Sequence, residues 1–170
     1  RLMILSDTHG KLPREVLQAC EGAAHIIHAG DLGGEDILHE LTGMAPVTAV
    51  CGNVDWTSMA PLRAFVNVGG WRILVQHIVW EKGGPSTEVR DIVAGEEADL
   101  VVFGHTHEPL SALLRQRARV HLLVAMGTRG NASQLSTSVS RESARLGVRE
   151  SQVHCRARVG SAGSCGQRVN

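Results

Sequence analysis

Polar side chains able to bind a metal ion follow five short apolar runs of this 170-residue chain. The run Leu2–Ser6, for example, is followed at once by Asp7 and then by His9. In open α/β sheets ligands bind outside the carboxyl ends of the strands, so side chains that follow such runs are expected to meet. Carboxylate, carboxamide and imidazole groups form a mixed nitrogen and oxygen set suited to divalent transition metals. The candidate ligands are Asp7, His9, Asp31, Asn53, His77, His105 and His107.

Two pairs of these residues are separated by one residue, namely Asp7 with His9 and His105 with His107. Side chains two apart on an extended segment project to the same side, so the members of each pair are expected to converge. Glycines adjoin four of the groups and permit a sharp turn at the end of a strand. Each short motif alone is weak, because capping of a helix or turn explains any single carboxylate or amide. Four histidines at strand ends are poorly explained by capping.

The apolar patterning indicates an α/β protein with helices outside the sheets. Gly69-Gly70 lies between two strand-like runs and predicts a hairpin. The predicted strands are Leu2–Ser6, Ala24–His28, Val47–Cys51, Leu62–Val68, Arg72–His77, Leu100–Phe103 and Val120–Ala125, and the predicted helices are Pro13–Glu21, Glu35–Leu41 and Ser86–Ala94.

The motifs resemble those of the calcineurin-like metallophosphoesterases, in particular a small branch that holds compact phosphodiesterases and the metallophosphoesterase-fold subunit of retromer. The resemblance covers residues 2 to about 127. It implies a four-layer α/β/β/α sandwich of two mixed sheets flanked by helices, with a dinuclear metal site at the strand ends. It also implies that Asp31 bridges the two metals. By the same analogy Asp7, His9 and His107 hold the first metal, and Asn53, His77 and His105 hold the second. The matching segments are Asp7–Gly10, Gly30-Asp31, Gly52–Asp55, His77 and Gly104–His107.

A dinuclear site of this kind supports hydrolysis of a phosphodiester by a metal-bridging hydroxide held by Asp31. Two divalent ions, the carboxylates of Asp7 and Asp31 and one hydroxide leave a charge of about +1, which a phosphodiester neutralises and a monoester dianion exceeds. Larger members of the family have a histidine after the motif asparagine, where it can protonate the leaving group; here that residue is Val54. Asp55 or a metal-bound water is left as the proton donor.

The metal and the substrate are less closely defined. The resemblance favours Mn²⁺, while Ni²⁺, Zn²⁺, Fe²⁺ or Co²⁺ also suit these ligands. The expected partner is a small phosphodiester substrate, and a homodimer is consistent with any exposed tryptophan. The alternative function is a non-catalytic, metal-binding interaction scaffold like the retromer subunit. Two departures from the family bear on the substrate pocket: Ile78-Val79 stands where Gly-His is common, and Ala125–Thr128 replaces Asn-Pro-Gly-Ser.

Composition excludes some classes of function. The chain has 17 basic and 17 acidic residues, which argues against coating nucleic acid or an anionic membrane, so no stable nucleic-acid complex is expected. No apolar run approaches the ~20 residues that cross a bilayer. The four cysteines form no C-x-x-C pair and are too sparse for a disulfide scaffold, which favours a cytoplasmic location.

The charge is unevenly distributed along the chain. Residues 1–127 carry 10 basic and 15 acidic side chains, whereas residues 128–170 carry 7 and 2. We therefore expect a metallophosphoesterase core at 1–127 and a basic Ser/Arg/Gly-rich C-terminal segment at 128–170. Alternation of apolar and polar residues over 152–159 predicts one closing strand in that segment.

Overall fold

The computed structural model describes residues 1–81, 83–96, 98–107, 110–116 and 119–125. Their order confirms the predicted mixture of strands and helices. The elements are β1 (Leu2–Leu5), α1 (Arg14–Cys20), β2 (His25–His28), α2 (Glu35–Thr42), β3 (Val47–Ala49), β4 (Arg63–Val68), β5 (Trp71–Gln76), β6 (Trp80–Glu81), β7 (Gly84–Pro85), α3 (Thr87–Glu96), β8 (Leu100–Phe103), β9 (Leu110–Gln116) and β10 (Arg119–Ala125).

The strands form two main sheets. In the first, β1, β2 and β3 are parallel and lie in that order. The second has the order β4-β5-β8-β10-β9, with parallel pairing around β8 and antiparallel pairs at both edges. The register places Leu5 beside His28 and His28 beside Ala49, so the three strands of the first sheet end together.

The alternation of side chains along the strands produces the four layers. In β1, Ile4 belongs to the core between the sheets, whereas Met3 and Leu5 face the layer that contains α1 and α2. In the second sheet Val102 faces the inner core, and Phe103 packs in the outer core with residues of α3. Successive side chains of a strand point to opposite faces, so each sheet is covered on both sides. The predicted fold class, a four-layer α/β/β/α sandwich, is confirmed.

Helical spacing of apolar residues accounts for the outer layers. Val16 and Cys20 are buried in α1, Ile37 and Leu41 in α2, and the same i, i+4 spacing recurs in α3. Pro13 precedes α1 instead of opening it, with φ −54° and ψ 147°. No helix among the described residues is both long enough and apolar enough to span a bilayer.

Some details were not predicted. The two-residue strands β6 and β7 pair with each other and are too short to show an alternating pattern. Strand β9 pairs antiparallel with β10 and is not among the predicted strands. Residues 128–170, including the strand predicted at 152–159, lie outside the described residues. The division into a core and a basic segment therefore stays a prediction.

Candidate metal centre

The seven predicted ligands follow strands of both sheets at one edge of the sandwich. Asp7, Asp31 and Asn53 follow β1, β2 and β3 of the first sheet, while His77 follows β5 of the second. His105 and His107 come after β8, which lies beside β5. Backbone hydrogen bonds join the ends of the strands, because Asp7 N donates to Gly30 O at 2.9 Å and Gly104 N to His77 O at 3.1 Å.

One group of side chains gathers around Asp7. The potential ligand atoms of Asp7, His9, Asp31 and His107 all lie within 4.8 Å of one another. His107 Nε2 is 3.6 Å from Asp7 Oδ1, and His9 Nε2 is 3.9 Å from Asp31 Oδ2. The imidazole rings of His9 and His107 are stacked, with centroids 5.5 Å apart. Two carboxylates and two imidazoles in this space form a donor set that suits a divalent metal ion.

A second group gathers around Asn53. Its Oδ1 atom lies 2.9 Å from Nδ1 of His105 and 3.1 Å from Nε2 of His77. Nε2 of His77 is also 3.3 Å from Oδ1 of Asp31. The two oxygens of Asp31 therefore face different groups, with Oδ2 toward His9 and Oδ1 toward His77.

Two features of the second group suit a cation. His77 Nδ1 donates a hydrogen bond to the carbonyl oxygen of Ala29 at 2.7 Å, so Nε2 of the neutral ring carries a lone pair. That lone pair faces oxygen atoms of Asp31 and Asn53. Electron-rich atoms converge here as they do around a metal, and a hydrogen bond that fixes the other ring nitrogen is typical of metal-ligating histidines.

The burial of Asp7 shows that the first group suits a cation as well. Asp7 is 4% exposed, and its Oδ2 atom is buried without a hydrogen-bond partner among the described residues. Its Oδ1 accepts from the backbone N–H of His105 at 3.1 Å. An unpartnered carboxylate oxygen inside a protein is costly unless a cation compensates it. The residues present therefore fit divalent metal ions.

The ligand-bearing loops adopt an unusual backbone conformation. Positive φ angles occur at five of the seven candidates: Asp7 (55°), His9 (48°), Asp31 (55°), His105 (67°) and His107 (53°). Residues other than glycine rarely adopt this left-handed region, and such strain concentrates at functional sites, where surrounding contacts impose it. The backbone bond from His9 N to Asp31 O, at 2.9 Å, is one such contact.

Glycines allow the loops to approach closely. A Cβ atom at Gly52 would overlap the carboxylate and the backbone nitrogen of Asp31, and one at Gly104 would overlap Ser6 Oγ and approach Asp7 Oδ2. The sequence predicted glycines for sharp turns. The structure shows in addition that Gly52 and Gly104 leave no room for a side chain beside Asp31 and Asp7.

The carboxylate of Asp55 is occupied by hydrogen bonds from the backbone. Its carboxylate accepts hydrogen bonds from the backbone N–H groups of Leu32 (3.0 Å), Gly33 (2.8 Å) and Gly52 (2.9 Å). Burial alone would raise the pKa of Asp55, but these hydrogen bonds outweigh it and hold the pKa below its ordinary value. Asp55 is therefore ionised at neutral pH, which does not favour it as the proton donor to the leaving group; its role in catalysis stays a prediction. It joins the loops that carry Asp31 and Asn53.

His28 is the buried partner of Thr8, which lies between the candidate ligands Asp7 and His9. Thr8 Oγ1 donates to the carbonyl oxygen of Leu32 at 3.1 Å and lies 3.0 Å from His28 Nε2, so His28 donates to Thr8. Burial lowers the pKa of His28 to about 3, which keeps the ring neutral. The hydrogen bond between His28 and Thr8 has no signal in the sequence, since the two residues are 20 positions apart.

The tryptophans and one departure from the family can also be located. Trp80 stacks on Phe103, with ring centroids 6.4 Å apart, and Trp71 packs against the core between the sheets. Trp56 is exposed. Val79, where the family commonly has histidine, is fully buried in the outer core of the second sheet. Met126, Gly127 and Thr128 lie outside the described residues.

A sequence profile of the calcineurin-like phosphoesterase superfamily domain matches residues 1–145 of the chain. The chain belongs to this superfamily. A probable metallophosphoesterase of Methanothermobacter thermautotrophicus is 33% identical over 113 residues, which are 62% of this chain and 66% of that protein. The match thus spans slightly less than two thirds of the relative's own length. Membership of the superfamily implies divalent metal ions, which the candidate ligands fit.

Two solved structures show the same calcineurin-like fold. Vps29 of Entamoeba histolytica, determined in complex with Zn²⁺, has a TM-score of 0.64 and 16% identity, over 82% of this chain and 87% of Vps29. An archaeal phosphodiesterase has a TM-score of 0.61 and 20% identity, over 84% of this chain and 94% of its own. At these identities the likenesses show the fold alone.

Proposed function

We propose that this protein is a metal-dependent phosphodiesterase whose two divalent ions share the carboxylate of Asp31. The proposal rests above all on the orientation of that carboxylate, with Oδ2 3.9 Å from His9 and Oδ1 3.3 Å from His77. Asp7, His9 and His107 complete the first site in this assignment, and Asn53, His77 and His105 complete the second. Mn²⁺ is the proposed ion, with Ni²⁺, Zn²⁺, Fe²⁺ and Co²⁺ as alternatives that elemental analysis of the purified protein would distinguish.

The charges of this chain favour a diester over a monoester. Two divalent ions would generate a nucleophile from water at neutral pH and polarise the phosphoryl group. Against their four positive charges, Asp7 and Asp31 supply two negative charges. A phosphodiester and an anionic nucleophile then bring the centre to neutrality, whereas a monoester dianion adds an excess negative charge.

The two residues that follow Asn53, Val54 and Asp55, favour substrates with good leaving groups. Val54 has no proton to give, and the Asp55 carboxylate is ionised and already accepts three backbone hydrogen bonds. A leaving group of low pKa can depart as an anion without a proton, so rates should fall steeply as its pKa rises. Asp55 has the role of a positioning residue here.

Turnover of bis-p-nitrophenyl phosphate with Mn²⁺ tests the proposal. Asp31→Asn keeps the shape of the side chain but removes the charge shared by the two sites, so kcat/KM should fall by about 100-fold or more. Asp36→Asn, on the exposed face of α2, is the matched control and should behave like the wild type. An active Asp31→Asn enzyme, or equal wild-type rates on p-nitrophenyl phosphate and its diester, would contradict the proposal.

An interaction scaffold is the second candidate function, favoured by the structural likeness to Vps29. Binding of Mn²⁺ without turnover of any aryl diester would favour it. The complete set of seven candidate ligands supports the enzyme instead. The small phosphodiester substrate, the absence of a stable nucleic-acid complex and the cytoplasmic location stay predictions.

A further inference from the structure

Two apolar side chains are exposed immediately after Asn53. Trp56 is 79% exposed and Val54 is 50% exposed, although both residue types normally bury much of their surface. Leu62 and Phe65 are the other large exposed hydrophobic residues in the part of the chain that the structure describes. Phe65 is covered in part by the guanidinium group of Arg72, 5.1 Å from its ring centroid.

The backbone places Val54 and Trp56 next to the metal centre. The N–H group of Val54 donates to Asp31 Oδ1 at 3.2 Å, so Val54 adjoins the carboxylate that faces both groups of candidate ligands. Trp56 is two residues further along, and two residues span at most about 7 Å of chain. An indole side chain at that distance is within reach of a group bound at the centre.

The loop that carries these side chains is firmly held. Between them, Asp55 is fixed by its three backbone hydrogen bonds. The carbonyl oxygen of Trp56 accepts a hydrogen bond from Met59 N at 2.9 Å, and Cys51 Sγ lies 2.9 Å from the carbonyl oxygen of Ala60 in the same loop. The backbone that carries Val54 and Trp56 is therefore held in place, and a backbone fixed in advance loses little entropy when it binds a ligand.

We propose that Val54 and Trp56 bind an aromatic ester group of the phosphodiester substrate, an inference that rests on the proposed function. With the phosphate on metal ions held by Asp31, an ester group directed to the Val54 side would come within reach of Trp56. A flat ring can stack on the indole and displace water from both apolar side chains. The substrate class is then a phosphodiester with one aryl or nucleobase-bearing ester group, since both present the same flat π surface.

Three substrates that release the same p-nitrophenolate test this assignment: the methyl, phenyl and thymidine 5′ esters of p-nitrophenyl phosphate. The wild type with Mn²⁺ should favour the aromatic esters over the methyl ester by about tenfold in kcat/KM, because base stacking on an aromatic side chain is worth roughly that much or more. Trp56→Ala should abolish most of the preference, and Trp56→Phe should restore much of it. Preference for thymidine alone identifies a nucleoside, and equal preference for phenyl identifies a general aryl group.

Leu62→Ala is the matched control, because Leu62 is a large hydrophobic residue, 65% exposed, at the other end of the connection between β3 and β4, six residues beyond Trp56. It should keep the wild-type preference. An unchanged preference in Trp56→Ala would overturn the proposal. A Trp56→Ala variant that changes only the monomer–dimer equilibrium, measured by light scattering, would also overturn the proposal. That result would assign Trp56 to contact with a second copy of the chain.

Failure of the proposed function can be separated from failure of this inference. If the wild type hydrolyses none of the three esters, the phosphodiesterase proposal is wrong. Quenching of tryptophan fluorescence by diphenyl phosphate with Mn²⁺ then tests binding by itself. Quenching that is lost in Trp56→Ala and retained in Leu62→Ala would support the aromatic subsite, and no quenching in the wild type would overturn it.

Discussion

Nδ1 of His77 lies 2.7 Å from the carbonyl oxygen of Ala29, which fixes the ring so that Nε2 faces Asp31 and Asn53. If Nε2 is a ligand of the second site, His77→Ala should reduce binding from two Mn²⁺ ions per chain to one, as counted by elemental analysis after equilibrium dialysis. Turnover should fall by at least the roughly 100-fold that loss of an outer partner of a ligand can cause. His25→Ala, which alters a partly buried histidine bonded to Thr48, is the control. A His77→Ala protein that still binds two ions would contradict the assignment.

The hydroxyl of Thr8 is expected to strengthen metal binding through the position of its neighbours. Thr8→Val removes the hydrogen bonds to His28 and Leu32 at nearly constant shape, so the affinity for Mn²⁺ should fall by about 10- to 100-fold. Thr8→Ser keeps the hydroxyl and should bind nearly as the wild type does. Titration calorimetry measures the affinity of each variant. A merely structural hydroxyl would lower the melting temperature of Thr8→Val and leave its Mn²⁺ affinity unchanged.

The close contact at Gly52 predicts a loss of stability on substitution. A methyl group there overlaps the Asp31 carboxylate, so Gly52→Ala should lower the free energy of unfolding by about 1–3 kcal/mol and weaken Mn²⁺ binding. Gly95 of α3 has nothing within 4 Å of an added Cβ, and Gly95→Ala should stabilise the helix by up to about 1 kcal/mol. Urea denaturation of both variants measures the difference, and equal stabilities would refute the close contact.

The neutral state of His28 predicts a dependence of stability on pH. The pKa of its side chain is lowered by burial from 6.5 to about 3, so between these values the unfolded chain binds a proton that the folded chain excludes. The contribution of His28 to stability is therefore complete above pH 6.5 and is lost as the pH falls, at up to about 1.4 kcal/mol per pH unit. Urea denaturation of metal-free wild type and His28→Gln should show the two stabilities approaching each other as the solution is acidified. Parallel curves would contradict this account.

Much of the fold followed from the sequence because the strands are short apolar runs with abrupt polar ends. The ends of β1, β2 and β8 were marked by Asp7, Asp31 and His105, and the structure places these residues at one edge of the sandwich. The two-residue strands β6 and β7 have no periodicity to detect, and they form through pairing with each other.

The contacts around the candidate ligands were harder to predict. Thr8 and His28 are 20 residues apart, and only the parallel pairing of β1 and β2 brings them together. The role of Asp55 depends on backbone N–H groups of one other loop, at Leu32 and Gly33, and of its own loop at Gly52, and these leave no mark in the pattern of side chains. The exposure of Trp56 is likewise a result of tertiary structure, since most tryptophans pack in a core.

The candidate ligands come from both sheets, with Asp7, His9, Asp31 and Asn53 after strands of the first and His77, His105 and His107 after strands of the second. Ions held between them would join the two layers at an edge where the apolar core between the sheets ends. Separation of the layers would then require an ion to leave, which adds a barrier to unfolding as well as a gain in equilibrium stability. Removal of the metal should therefore shorten the lifetime of the folded chain. The metal centre would then hold the two sheets together as well as carry out the reaction.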